Sequence, residues 1–481
     1  MLATLRNNRI VSGVLPLHYL LMKKYAAASL IFSFLLLTIT VFGQTKAVTI
    51  DTMIRRTNRM GLFSGNILVM DGGKVVYKNA IGFTNVSKKE PLIEDYRFHI
   101  GSIAKEFNAV GIMMLQEQGK LSIDDKVSKF FPELPAWANK VSIKNLLQYT
   151  SGIPDVKWKT VKGDADNIAD LMKLQQLDFE PGTKYAYNNN NVFMQRRIIE
   201  KITGLPFNKF VEEKLLKPAG MSTAVIDPDD NTPLMAKSYT NEGKQGPLIY
   251  PITGWVAVTL DDFYKWEQAL ENFKLISPAS TKILVTPFGP DKQCGLGGGT
   301  MDGNKLVFHK HDGSSVYYQA LVVGSPLKGR TVILMTNNRQ NNIFDIDNAI
   351  QNILDGKPYS QPKRSILADF QKQLDTLSGE QVLVFYKDLK AKHPNEYGFD
   401  SESTLNEIGY SLMNAKKLDD AIVVLEYNTT LFPTSGNVFD SLGEAYYNKG
   451  DKAKALLNYK RSLKLDPTNG AAKAIIAELG K

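Results

Sequence analysis

Cysteine is almost missing from this chain: Cys294 is the only one in 481 residues. A single thiol excludes an intrachain disulfide and a Cys-based zinc site, and its distance from the N-terminus excludes a lipid-modified cysteine at the start of an exported protein. A small buried apolar side chain is its expected role. Histidine is scarce as well, and the five present show no HExxH spacing, so neither a metal site nor a cofactor is expected. No Gln-, Ser- or Pro-rich tract is long enough to imply disorder. Concentrated positive charge is also lacking. The formal net charge of +9 and pI near 9.1 come from basic residues interleaved with acidic ones, which describes a solvated surface and gives no footprint for nucleic acid.

What is present is a globular composition, 43% hydrophobic and 22% charged, in a chain too long for one typical core. Lys23 and Lys24 precede the run "YAAASLIFSFLLLTITVFGQ". A basic flank, an apolar stretch and small residues at Val41 and Gly43 predict an export signal over residues 1–43, cleaved before Gln44 or retained as an anchor. Met22 would begin a more ordinary signal than Met1. Either outcome places the remainder outside the cytoplasmic membrane, periplasmic or extracellular, because the lysines come first. A membrane is a partner only if this segment is uncleaved.

Beyond the leader the chain has two textures. From 48 to 356, strand-like and helix-like pieces mix. "GNILVMDGGKVVYKNAIGF" reads as a hairpin turning at Asp71-Gly72-Gly73, and "KLVFHKHDGSSVYYQALVVGSPLKGRTVILMTNN" supplies three more strands. Helices are expected at 142–150, 192–203 and 260–272, the last opened by a capping box of Thr259 with Asp262. Strands at both ends and helices between them predict an α+β fold: an antiparallel sheet flanked by helices, completed by the two chain ends, with a helical insertion. A Pro-bearing linker at 357–365 leads to an all-α region, 366–481. There Ile408, Gly409, Ala421, Leu425, Leu431 and Pro433 recur 34 residues later as Leu442, Gly443, Ala455, Tyr459, Leu465 and Pro467. That is the register of tetratricopeptide helix pairs, in which Gly and Ala permit close helix approach. Residues 365–396 are expected to form a third, degenerate unit, and the repeat surface suits a protein partner.

One local pattern carries chemistry. In "FHIGSIAKEFNAVGIMMLQEQGK" a helix starting at Ser102 puts Lys105 nearly one turn on, while apolar residues from Ile103 to Leu115 cover most of its circumference. Desolvation disfavours the charged form of an amine so placed, and the helix N-terminus favours negative charge on the hydroxyl, so the pair makes an activated nucleophile. The same spacing also describes a serine cap with a lysine reaching solvent. Two further segments join it: Tyr187-Asn188-Asn189 directly before a helix, and His311-Asp312-Gly313 on a strand where alternation turns Lys310 away from His311. Taken singly, these describe a polar capping loop and an ordinary strand histidine.

The order Ser-x-x-Lys, Tyr-x-Asn, His-x-Gly over roughly residues 48 to 356 resembles the serine β-lactamase-related family, which includes class C β-lactamases, D-Ala-D-Ala carboxypeptidases, D-aminopeptidases and esterases. "LLQYTSGIPD" and "GWVAVTLDDFYKW" look like further landmarks. The resemblance implies a β-lactamase/transpeptidase-like fold and an acyl-enzyme formed on Ser102, with Lys105 and Tyr187 sharing the proton. It implies substrate positioning by Asn189 and His311, with Gly313 leaving room at the strand edge, and an oxyanion hole from the N–H groups of Ser102 and Ser314. The sequence departs from the family at Tyr149, where histidine is common, and at His311, where β-lactamases usually carry lysine. The expected activity is that of an exported serine hydrolase acting on an ester, an amide or a D-amino-acid peptide. The competing expectation is a catalytically inactive scaffold whose repeat domain binds a protein.

Overall fold

The computed structural model describes residues 45–248, 250–289 and 292–480; the expected export signal lies outside them. Among the described residues no helix is long and apolar enough to cross a membrane. The strands are β1 Gly65–Asp71, β2 Lys74–Ile81, β3 Phe98–His99, β4 Val225–Ile226, β5 Val256–Val258, β6 Gly298–Asp302, β7 Lys305–Ser315, β8 Tyr318–Ser325 and β9 Arg330–Thr336. Six form one sheet in the order β2-β1-β9-β8-β7-β6, with antiparallel pairing throughout. The expected hairpin is β1–β2. Asp71 pairs with Lys74 across Gly72 and Gly73, whose φ values of 59° and 72° suit a two-residue turn.

Alternation along the strands explains the layers. Ile67, Val69, Leu321, Val323, Val332 and Leu334 point to one face, where they pack with Ile50, Met53 and Ile54 of the helix at 45–59 and with Ile346 and Ile350 of the helix Ile343–Leu354. Their neighbours Leu68, Met70, Ala320, Val322, Ile333 and Met335 join a second and larger cluster with the helical insertion. The two chain ends therefore cover one side of the sheet and the insertion covers the other. Through the middle of the insertion runs the helix Lys105–Glu117, buried at ten of its thirteen positions. It ends at Gly119, whose φ of 68° aims its N–H at the carbonyl of Gln116.

A small sheet, β3-β5-β4, leads into that helix. Its strands are only two or three residues long, too short for any periodic signal. The helix expected at 260–272 is Leu260–Glu271, capped by the Thr259 hydroxyl accepting from the Asp262 N–H. The reciprocal half of the expected capping box is absent, because the Asp262 carboxylate is taken by Thr223 and Lys265.

The C-terminal region is a stack of antiparallel helix pairs, Glu402–Asn414 with Leu418–Leu431 and Gly436–Lys449 with Lys452–Leu465. Where a degenerate unit was expected, Ile366–Leu374 packs against Glu402–Asn414 and Gly379–Lys392 against Leu418–Leu431 rather than closely against each other, and Gly470–Leu479 ends the stack. A Cβ on Gly409 would lie 2.6 Å from Leu425, and one on Gly443 would lie 3.2 Å from Tyr459, so these glycines set the close helix approach. The Gln361 amide in the linker donates to Thr57 Oγ1 at 2.9 Å, tying it to the helix at 45–59.

Candidate active site

Strand β3 leads to Ser102, the predicted nucleophile. The Ile100 N–H bonds to the Val256 carbonyl at 3.1 Å, and the chain then turns through a 3₁₀ helix, Gly101–Ala104, into the helix that starts at Lys105. Ser102 thus sits in a tight lead-in turn just before the α-helix, and the Ile100 side chain does not cap that turn. The tighter turn still brings the hydroxyl over the lysine: Lys105 Nζ donates to Ser102 Oγ at 3.0 Å. Lys105 is 6% exposed, so the solvent-reaching arrangement is not the one adopted.

The Tyr187 segment is held by its backbone neighbours. The Ala186 N–H bonds to the Tyr149 carbonyl, the Asn188 amide donates to the Ile153 carbonyl at 2.7 Å, and the Asn189 N–H bonds to Asp155 Oδ1 at 2.8 Å. The Asn188 side-chain oxygen accepts from the Asn191 N–H and caps the helix Asn189–Thr203. These ties set the Tyr187 ring over the lysine, 5.1 Å from Nζ to its centroid, with Trp255 at 5.6 Å on another side. Lys105, Asn108, Asn189 and Trp255 line one small cavity of about 20 Å³. Tyr149, at φ 56° and buried, lies against Tyr187 with centroids 4.6 Å apart. Burial, with Tyr187 next to it, pushes the Tyr149 phenol well above its usual range, so it serves there as a neutral wall. A larger cavity of about 220 Å³, lined in part by Asp155, Lys157 and Asp170, contains none of the predicted site residues.

Strand β7 closes the other side. A Cβ on Gly313 would fall 2.0 Å from the Ile100 carbonyl oxygen and 2.7 Å from the Ser102 nitrogen, and one on Gly101 would fall 2.5 Å from the Ser314 nitrogen. Only paired glycines let strand and turn meet this closely, and the backbone nitrogens of Ser102 and Ser314 both lie at the meeting point. Alternation on β7 is as expected: Lys310 lies over the Phe344 ring on the far face, and His311 faces the insertion. His311 is only 2% exposed, however, and its Nδ1 sits 2.7 Å from Glu106 Oε1. It is a wall residue whose Nδ1 is held from behind.

Glu106 was not singled out from the sequence, nor were His309 and Trp255. Glu106 is fully buried next to Lys105; its Oε2 accepts from Trp266 Nε1 at 2.6 Å, and its Oε1 lies 3.2 Å from His309 Nε2. Burial alone would raise this carboxyl, but His309 and His311 beside it outweigh that and hold it down at about 2. His309 is the converse. Burial would lower it, yet Glu267 at 2.7 Å and Glu106 hold it well above its ordinary value, so it is an imidazolium between two carboxylates. The available signal was the i, i+2 spacing of His309 and His311 on one strand face. Burial, with the Lys105 charge nearby, pushes His99 down to about 3; its neutral ring accepts the Gly101 N–H at 3.0 Å and thereby braces the nucleophile turn. Among the described residues no group of three or more His, Cys, Asp or Glu is placed to hold a metal ion.

Comparison with known proteins bears on the family and the fold. The Beta-lactamase family model matches residues 50–355, and the Tetratricopeptide repeat model matches residues 437–469. Penicillin-binding protein 4* of Bacillus subtilis is 27% identical, covering 69% of this chain and 81% of its own length. Among solved structures, a penicillin binding protein from Bacillus halodurans aligns with a TM-score of 0.56 at 24% identity, over 63% of this chain and 98% of that one. A class C beta-lactamase aligns with a TM-score of 0.55 at 20% identity, over 66% and 97%. At these identities the two structures speak for the fold alone.

Proposed function

Because the chain belongs to the beta-lactamase family, we propose that it is an exported serine hydrolase that works through an acyl-enzyme on esters, amides or peptides with a D-amino acid at the cut bond. The observation that carries this reading is the 3.0 Å contact between Lys105 Nζ and Ser102 Oγ inside a buried pocket.

In this reading Ser102 attacks the substrate carbonyl while Lys105 and Tyr187 take its proton and return it to the leaving group. The same pair then activates the water that releases the acyl group. The N–H groups of Ser102 and Ser314 bind the developing oxyanion, a role worth about 2.7 to 4 kcal/mol per donor in comparable sites. Asn189 and His311 position the substrate. An imidazole in the place where β-lactamases usually carry a lysine lacks the permanent charge of an ammonium, so esters and D-amino-acid peptides are favoured over vigorous β-lactam hydrolysis. The repeat region offers a surface for a protein partner.

The test is turnover of a panel containing p-nitrophenyl esters, D-Ala-D-Ala peptides and a cephalosporin by the wild type and by Ser102→Ala. Hydrolysis of at least one member, lost in the variant, supports the proposal. No turnover of any member would favour an inactive scaffold whose repeat domain does the binding.

A further inference from the structure

The buried polar chain behind β7 has, apart from its end at His311, no role in the catalytic reading. It runs from Glu267 through His309 and Glu106 to His311, and every link lies within 3.2 Å. All four residues are 2% exposed or less. Such a cluster is costly to bury unless its partners are mutually satisfied. Here the donors and acceptors can be assigned from geometry.

His309 Nδ1 faces Glu267 Oε2, and its Nε2 faces the Leu296 carbonyl at 3.1 Å as well as Glu106 Oε1. Both ring nitrogens therefore meet only acceptors, and both carry protons. Glu106 in turn receives donors from Trp266 and His309, which fixes it as an acceptor-only carboxylate. His311 Nδ1 lies 2.7 Å from that carboxylate in a place closed to solvent. An unprotonated Nδ1 there would set its lone pair against a carboxylate oxygen with nothing between them.

We propose that Glu106, itself braced by His309 and Trp266, is a positioning residue that locks His311 in the Nδ1-protonated form and so presents Nε2 to the substrate. This rests on the reading above that His311 meets substrate. The lock sets both the ring's orientation and its hydrogen-bonding sense: in the neutral form Nε2 accepts, so it selects a substrate N–H or O–H over a bare carboxylate at that point. A lysine in the same place would only donate.

Two measurements test this. In protein labelled with ¹⁵N-histidine, the His311 ring signals are identified by their loss in His311→Ala. The expected spectrum shows His311 with a proton fixed on Nδ1, and Glu106→Gln mixes the tautomers. A wild-type signal from the Nε2-protonated tautomer would overturn the proposal, whether or not any substrate is found, and so separates its failure from failure of the hydrolase reading.

The second is a double-mutant cycle on kcat/KM for the best substrate of the panel. Glu106→Gln should cost 10-fold or more in the wild-type background and less than about 3-fold in His311→Ala, because Glu106 acts through His311. Equal losses in both backgrounds would assign Glu106 a merely structural role and overturn the proposal. If Glu106→Gln does not fold, Trp266→Phe removes one brace while keeping the ring that stacks on Phe107 at 4.0 Å. It should give a smaller loss with the same dependence on His311; a loss independent of His311 would count against the lock.

Discussion

Gly313→Ala perturbs the closest approach in the site with a single methyl group. The added Cβ would stand 2.0 Å from the Ile100 carbonyl oxygen and 2.7 Å from the Ser102 nitrogen, where ordinary contact begins near roughly 3.5 Å. Relief requires strand β7 and the Gly101–Ala104 turn to part by about 1 Å or more. Overpacking of this kind costs about 1 to 3 kcal/mol of stability. The larger effect falls on catalysis, because the same separation pulls the Ser314 N–H away from the Ser102 N–H. A displacement of about 1 Å costs on the order of 10²-fold, and loss of one oxyanion donor costs about 10² to 10³ in kcat. The expected outcome is a kcat lowered by at least about 10²-fold, a KM changed little, and a modestly lower melting temperature. Steady-state ester hydrolysis and differential scanning fluorimetry read the two effects on the same preparation. Activity within about threefold of the wild type at an unchanged melting temperature would refute the reasoning.

Two further predictions concern side chains outside the predicted Ser102–Lys105 pair. Burial, with Glu267 nearby, pushes the Glu271 carboxyl up to about 7. A carboxyl raised on folding contributes stability that is full below its ordinary range and lost as pH climbs through about 7. Glu271→Gln should therefore raise the melting temperature at about pH 8 and leave it nearly unchanged at about pH 4; a pH-independent difference would contradict this. Cys294 is 1% exposed and donates to the Leu284 carbonyl, and burial pushes its thiol up to about 12. It should react with a disulfide reagent only on unfolding, and rapid labelling of the native protein would show the site to be open.

The features legible in the sequence were those written in local pattern. Alternation gave the β1–β2 hairpin and the strands β7 to β9, and their positions near both ends of the mixed region implied a sheet closed by the chain ends. The 34-residue spacing gave the repeat helices, with Gly409 and Gly443 at the close contacts. Ser102 and Lys105 were visible because one helical turn brings them together whatever the rest of the chain does. Glu106 was not, since its partners Trp266 and His311 stand 160 and 205 residues away and nothing local marks a charged residue as buried. For the same reason the hold on His311 Nδ1 was not legible, because the carboxylate that makes it comes from a distant segment. The lead-in turn at Ser102 escaped notice because a 3₁₀ turn and an α-helix share the same apolar spacing over four residues.

The most direct test is to locate the covalent bond. The protein is treated with a fluorophosphonate or a labelled penicillin, digested and mapped by mass spectrometry, with the labelling rate compared between the wild type and Lys105→Met. The account predicts one adduct, on Ser102, formed more slowly by about 10² to 10⁴ when the amine is gone. An adduct on another residue, or labelling of Ser102 at the same rate without Lys105, would contradict it.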